Sequence, residues 1–288
     1  MKSIIKKYIG SILGTERHQE EIDTLFYFLN QYVDITKLPP ATGALREVQL
    51  LDAKFLEVFD LLMQKHKLTY MLAYGSLLGG FRHKGFIPWD DDLDLFMPRG
   101  DYEAVKDILK MECDRFKFKY YINPNRWLES IGVGFTNGIW IDIFPLDFFS
   151  GDGEYESVYK KYLNAVAQIP APDSLKLSWE DYVKKCNFEI KQSVGSGNAR
   201  YFYRIDKKML VRENDIFPLK KEYFEGYSVS FPQNSDVLLK ALYGDYMSFP
   251  HQGIAKHGTE NCFELETEKQ TEKYLDELVD QLNSEIHK

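Results

Sequence analysis

Positive charge, cysteine and long apolar runs are all scarce in this 288-residue chain. Its 36 Lys and Arg residues against 44 Asp and Glu leave a net charge of −8. That argues against nucleic-acid binding through overall positive charge, although a local basic groove could still hold a nucleotide. The cysteines are three, Cys113, Cys186 and Cys262, far apart and without a CxxC pair. A disulfide framework or a zinc knuckle therefore lacks its raw material, and a reduced, cytoplasmic setting is expected. No apolar run reaches the roughly 18 residues of a membrane span. Lys2, Lys6 and Lys7 precede neither a continuous apolar stretch nor a small-residue cleavage site, so no secretory leader is expected. What the chain does have is 44% hydrophobic and 15% aromatic residues, enough for a sizeable core.

The periodicity predicts a short basic amphipathic helix over 1–14, either packed on the body or resting at the inner membrane face as a peripheral contact. A second helix is expected from Glu20 to Tyr32, and the Pro-Pro run at 38–43 reads as a linker. A long helix follows over 44–67, with Val48, Leu51, Phe55, Val58, Phe59 and Leu62 on one face. Strands are expected over 69–74, 92–97, 116–122, 127–136 and 139–144, with helices over 77–81 and 99–112. Beyond Ser150-Gly151-Asp152-Gly153, residues 154–213 read as mostly helical. A hairpin around Gly226 and helices over 235–243 and 267–286 complete the chain. The fold class is α/β (α+β): a small mixed sheet flanked by helices, plus a mainly helical C-terminal half. The expected organisation is N-terminal helices and linker over 1–43, a catalytic core over 44–150, and a helical part over 151–288 packed on it.

The stretch AYGSLLGGFRHKGFIPWDDDLDLFMP, residues 73–98, places aspartates at 90, 91, 92 and 94 beside an apolar run. On a strand, Asp92 and Asp94 share a face while Leu93 and Leu95 face the core. Two carboxylates about 4 Å apart repel by roughly 4 kcal/mol at an effective dielectric near 20, so the pair needs a cation or a shared proton. All-oxygen ligation favours Mg2+, Mn2+ or Ca2+ over zinc. Asp142, between Ile141 and Ile143 on another predicted strand, supplies a third carboxylate. Asp90 and Asp91 read as a solvated turn. Gly75 allows a tight turn, and a helix beginning at Ser76 aims free N–H groups at an anion, with Ser76 Oγ as a further phosphate contact. Arg82, His83 and Lys84 are candidates to neutralise phosphate charge. The tetrapeptide Ile-Phe-Pro-Leu recurs after Asp215, but the polar residues before it do not read as a buried strand.

Strand, Gly-Ser, short helix, Asp-x-Asp on a strand and a later Asp on another strand resemble the nucleotidyltransferase superfamily. The longer signature from Tyr74 to Asp94 resembles the LicD family. Asp142 to Asp147, Phe224-Glu225-Gly226 and Leu242 to Met247 with Pro250 continue that pattern. The resemblance covers roughly residues 45–257. It implies a phosphotransferase that moves phosphocholine, or a related phospho-alcohol, from a CDP-activated donor to a sugar hydroxyl of a teichoic acid, lipopolysaccharide or capsule precursor. Fukutin-type relatives use other CDP donors, such as CDP-ribitol. Carried onto this chain, it implies that Asp92, Asp94 and Asp142 hold Mg2+ or Mn2+, that Gly75 and Ser76 hold donor phosphate, and that Asp142 doubles as the base. Two rivals keep part of the pattern. An Asp-x-Asp glycosyltransferase leaves the Gly-Ser pair and Asp142 unexplained. A non-catalytic calcium-binding module has Leu95 where an EF-hand loop needs Gly, and Asp101 where it needs Glu.

Overall fold

A computed structural model describes residues 15–125, 128–135, 138–169, 177–195, 197–205, 207–250 and 265–287. The helix expected over 1–14 lies outside them, as does Cys262. The chain divides into two compact units. One comprises residues 1–39 and 245–255; its described part is helix α1 (Thr15–Tyr32), a 3-10 turn (Ile35–Lys37) and a segment whose Phe249 N–H donates to Asn30 Oδ1 at 2.7 Å. The other comprises residues 40–244 and 256–288 and carries all the sheets.

This larger unit opens with helix α2 (Ala44–His66), which buries Val48, Leu51, Phe55, Val58, Phe59 and Leu62 along the stripe their spacing predicts. Burying a side chain of this kind contributes about 1.5–3 kcal/mol. The chain then runs through β1 (Met71–Leu72), α3 (Tyr74–His83), β2 (Leu93–Pro98), α4 (Arg99–Phe116), β3 (Lys119–Asn125), β4 (Leu128–Gly134) and β5 (Trp140–Gly151). After α5 (Tyr155–Gln168) and α6 (Trp179–Val194) come β6 (Ala199–Arg204), β7 (Met209–Arg212) and the short α7 (Glu213–Ile216). The hairpin β8 (Lys220–Phe224) and β9 (Tyr227–Phe231) precedes α8 (Ser235–Tyr243) and the terminal α9 (Leu265–Ile286).

The main sheet is mixed and seven-stranded, ordered β1-β2-β5-β4-β3, with β6 beside β5 and β7 beside β6. The β2–β5 pair is parallel and the other pairs are antiparallel. The twelve-residue β5 serves both halves. Its first part lies between β2 and β4, and its last part, from Asp147 on, pairs with β6.

Three readings shift. The strand expected over 116–122 begins at Lys119, because Phe116 completes the buried stripe of Tyr102, Val105, Leu109 and Cys113 on α4 and Lys117 ends that helix in the left-handed region (φ 58°). The early strand is only Met71–Leu72, and α3 starts at Tyr74, ahead of both Leu77 and Ser76. The segment 154–213 is not helical throughout, since Ala199–Arg204 and Met209–Arg212 are strands. Tyr201, Phe202, Tyr203 and Arg204 are all buried, so this strand shows no in-out alternation of polarity to read. Tyr201 and Tyr203 pack with Phe149, Val158, Tyr162, Tyr182 and Cys186 in a second core under α5 and α6.

Candidate active site

The parallel pairing sets Asp94 directly opposite Asp142, with Leu93 against Ile141 and Leu95 against Ile143. Leu93, Leu95, Ile141 and Ile143 are fully buried, so the period of two leaves both aspartates on the other face. Asp92 lies one residue before β2, two positions from Asp94. Burial, then the charges of Asp92, Asp142 and Asp90, pushes the Asp94 carboxyl well above its ordinary value, and the Lys207 charge works in the opposite direction.

Helix α3 is bolted to this strand pair. The Asp94 N–H donates to Ser76 Oγ at 2.8 Å, and the Ala73 N–H donates to the Asp94 carbonyl at 2.9 Å. Ser76 is only 2% exposed, so its hydroxyl locks α3 to β2 rather than standing open to a phosphate. Gly75 has a separate reason: a Cβ there would lie 2.5 Å from Asp90 Oδ2. The Asp90 carboxylate thus rests on the first turn of α3. Burial, then the Asp92 and Asp91 charges, pushes it up to about 8. The solvated turn expected at Asp90 and Asp91 is therefore corrected: Asp91 is 3% exposed, and Asp90 is part of the carboxylate group. The loop is held from Gln49, 41 positions earlier, whose Nε2 donates to the Asp90 carbonyl at 2.8 Å.

A cross-strand row completes the Asp142 side. Tyr121 pairs with Gly132 and Gly132 pairs with Asp142, so the four positions Tyr121, Gly132, Asp142 and Asp94 cross β3, β4, β5 and β2 in line. A Cβ on Gly132 would fall 2.3 Å from the Tyr121 ring. Because glycine stands there, the ring lies across β4, and the Tyr121 hydroxyl donates to Asp142 Oδ1 at 3.3 Å. The ring also lies 5.4 Å from that of Trp140.

Three further groups border the carboxylates. Lys207 Nζ stands 5.6 Å from the Tyr74 ring centroid. Withdrawal from water, then the Asp94, Asp90 and Asp92 charges, raises the Tyr243 phenol, which stays protonated. Asp52 of α2 is fully buried; burial pushes its carboxyl well up, opposed by the Trp140 amide and reinforced by Asp92 and Asp91. Periodicity could not show these groups, because each reaches the site from an element distant in sequence.

The basic trio divides. Arg82 is buried, and its Nε donates to His83 Nε2 at 3.0 Å. Burial, then the Arg82 charge, pushes His83 down to about 4, so it is neutral at pH 7 and brings no positive charge to a phosphate. Lys84 Nζ is mostly exposed and stands 4.0 Å from Glu222 of β8. Among the described residues, no three His, Cys, Asp or Glu side chains stand close enough together to enclose a metal ion as positioned. Among the same residues, no helix is long and apolar enough to cross a membrane.

Comparison with known proteins gives this geometry a lineage. Residues 67–171 match the family model described as LicD/FKTN/FKRP, nucleotidyltransferase domain. The chain is 47% identical over 64 residues to the lipopolysaccharide cholinephosphotransferase LicD of Haemophilus influenzae, covering 22% of this chain and 24% of that protein. It is 32% identical over 167 residues to the uncharacterised protein RP689 of Rickettsia prowazekii, covering 51% of this chain and 59% of that one. For the uncharacterised protein RT0683 of Rickettsia typhi the values are 32% over 157 residues, 51% and 50%. The chain thus spans less than two thirds of the length of each of these relatives. Residues 67–171, which hold α3, the Asp90–Asp94 run, Tyr121 and Asp142, belong to the LicD/FKTN/FKRP nucleotidyltransferase domain family.

Proposed function

We propose that this protein transfers a phospho-alcohol group, phosphocholine or a relative of it, from a CDP-activated donor to a hydroxyl of a glycan precursor, releasing CMP. The observation that supports it most is the pairing of Asp94 with Asp142 on adjacent parallel strands, beside a helix whose first turn is tied to Asp94. The similarity to a lipopolysaccharide cholinephosphotransferase suggests the donor and acceptor classes.

Asp92, Asp94 and Asp142 are the residues that would hold Mg2+ or Mn2+. The donor set fits, being oxygen only, and Asp94, raised first by burial and then by the charges of Asp92, Asp142 and Asp90, is a carboxylate whose charge a cation would stabilise. Such an ion would supply neutralisation of the donor diphosphate. The first turn of α3, tied to Asp94, would offer backbone N–H groups to a donor phosphate, as helix N-termini do. Lys207 adds a positive charge at the rim. Asp142, whose Oδ1 accepts from the Tyr121 hydroxyl, takes the proton from the attacking sugar hydroxyl.

The test is a donor panel. CDP-choline, CDP-ethanolamine, CDP-ribitol and CDP-glycerol are each incubated with the protein, Mg2+ and a lipopolysaccharide acceptor, and CMP is measured. CMP should appear with at least one donor, vanish with EDTA and return with Mg2+ or Mn2+. Turnover that persists in a rigorously metal-free preparation would remove the metal role. Sugar transfer from a UDP-sugar with no CMP from any CDP donor would replace the phosphotransferase reading with a glycosyltransferase.

A further inference from the structure

The mechanism leaves one set of buried polar groups unused. Helix α2 is the long core helix, yet Arg46, Gln49 and Asp52 stand on it at spacings of three, a single stripe. Gln49 is 1% exposed and Asp52 fully buried, which is costly for such side chains unless they are hydrogen-bonded. Both address backbone that lies outside the β2–β5 ladder. Gln49 Nε2 donates to the carbonyls of Asp90 at 2.8 Å and Ile87 at 3.3 Å, in the loop leading into β2. Asp52 Oδ1 accepts the N–H of Trp140 at 3.1 Å. Trp140 opens β5 one residue before the first β2–β5 pair, Leu93 with Ile141. Arg46 donates to both oxygens of Glu225, at 2.8 and 2.6 Å, and Glu225 Oε1 accepts the Phe86 N–H at 3.1 Å. Arg46 also donates to Gln49 Oε1 at 3.2 Å, joining these two members of the stripe. Asp52 Oδ2 is buried with no hydrogen-bond partner among the described residues.

Buried irregular backbone has to be hydrogen-bonded somewhere. Here the ladder stops short at the end of the sheet where the aspartates stand, and side chains of one helix take over. We propose that the Arg46–Gln49–Asp52 stripe is a positioning element that sets the two carboxylate-bearing segments, 90–94 and 140–142, against each other from behind. The stripe touches no substrate. Its kinetic consequence rests on the transferase reading above; its effect on the two segments does not.

The test compares Asp52→Asn, Asp52→Ala and Gln49→Met. Asparagine keeps an acceptor for the Trp140 N–H, alanine removes it, and methionine removes the Gln49 donor with little change of shape. Misplacement of reacting groups by about 1 Å costs up to roughly 100-fold, so Asp52→Ala and Gln49→Met should lower kcat for CMP release from CDP-choline by about 10-fold or more. KM for CDP-choline should stay within about twofold, with kcat taken per folded molecule because loss of folded protein would also lower the apparent kcat at constant KM. Mn2+ affinity should weaken in both variants, and the Trp140 amide should exchange faster with solvent in Asp52→Ala. Asp52→Asn should restore the wild-type kcat, Mn2+ affinity and exchange rate. Should Asp52→Ala fail to fold, Gln49→Met carries the same comparison, with the melting curve as control. Retention of kcat, Mn2+ affinity and exchange protection in Asp52→Ala and Gln49→Met would overturn the proposal. Damage in Asp52→Asn equal to that in Asp52→Ala would also overturn it, because the hydrogen bond would then not be what matters. A wild-type protein that releases no CMP from any of the four donors ends the transferase reading alone. Amide exchange then still decides whether the stripe holds the two segments.

Discussion

Asp142 and Asp215 are followed by the same four residues, Ile-Phe-Pro-Leu, and do unrelated things. The first copy lies in β5, with Asp142 opposite Asp94. The second straddles the end of the four-residue α7. There the Asp215 and Ile216 carbonyls accept the N–H groups of Asn234 and Gln233, at 2.8 and 2.9 Å, fixing the turn into α8. The residues ahead of each copy make the difference. Trp140 and Ile141 continue a strand between two neighbours, whereas Glu213 and Asn214 start a helical turn. A carboxylate acquires chemistry from what the sheet places across from it, and identical local sequence does not carry that over.

The sharpest way to break this contrast is substitution at the carboxylates. Asp142→Asn, Asp94→Asn and Asp92→Asn should each lower CMP release by at least about 100-fold, the scale of a few kcal/mol of lost charge stabilisation. Asp94→Asn should melt no lower than wild type, because it removes one of several crowded like charges. Asp215→Asn activity equal to that of Asp142→Asn would end the distinction.

Asp147 sharpens it from within the same strand. It is an odd step from Asp142 and so faces the other side of β5. Its two oxygens accept from Arg99 at 2.9 and 2.7 Å, and Asn187 Nδ2 adds a donor at 3.1 Å. Asp147→Asn should cost roughly 1–3 kcal/mol of stability, as expected for bonds to a charged group. Read by denaturant melts beside steady-state assays, kcat per folded molecule should stay near wild type.

Smaller effects test the cross-strand row. Tyr121→Phe removes the donor to Asp142, and Gly132→Ala drives the ring off β4. Tyr121 is 45% exposed, so the displaced ring has solvent to turn into. Each change should lower kcat by about three- to tenfold. The double variant should be no worse than either single one, the non-additivity expected when two residues act through one contact. Smallest of all, Asp215→Asn should leave CMP release within about twofold of wild type, as surface changes away from special contacts do.

Much of this was readable in the residues themselves. The stripe on α2, the strand expected over 92–97 (found at Leu93–Pro98), the Gly226 hairpin and α8 all follow from local period and turn chemistry. Strand β6 was hidden because its aromatics are buried on both faces and Arg204 is buried with them. Asp90 and Asp91 look polar and loop-like in sequence; the contacts that Asp90 makes with distant Gln49 and with Gly75 appear only in the fold. Tyr121 needed the register of two strand pairs before its hydroxyl could be placed beside Asp142.

Helix α3 has a history built into its three glycines. It is ten residues long, too short to persist alone in water, and each glycine costs about 1 kcal/mol relative to alanine. Gly79 fits against the backbone of Gly85 and Ile87, and Gly80 fits under Phe231 and Phe224. The last two belong to the hairpin ending at Phe231, about 150 residues later and roughly 8–30 s later on a ribosome adding 5–20 residues per second. A nascent chain that ends before residue 220 should therefore carry all the aspartates of the site and no firm helix beside them. The helix beside the site's aspartates is among the last parts of the protein to settle.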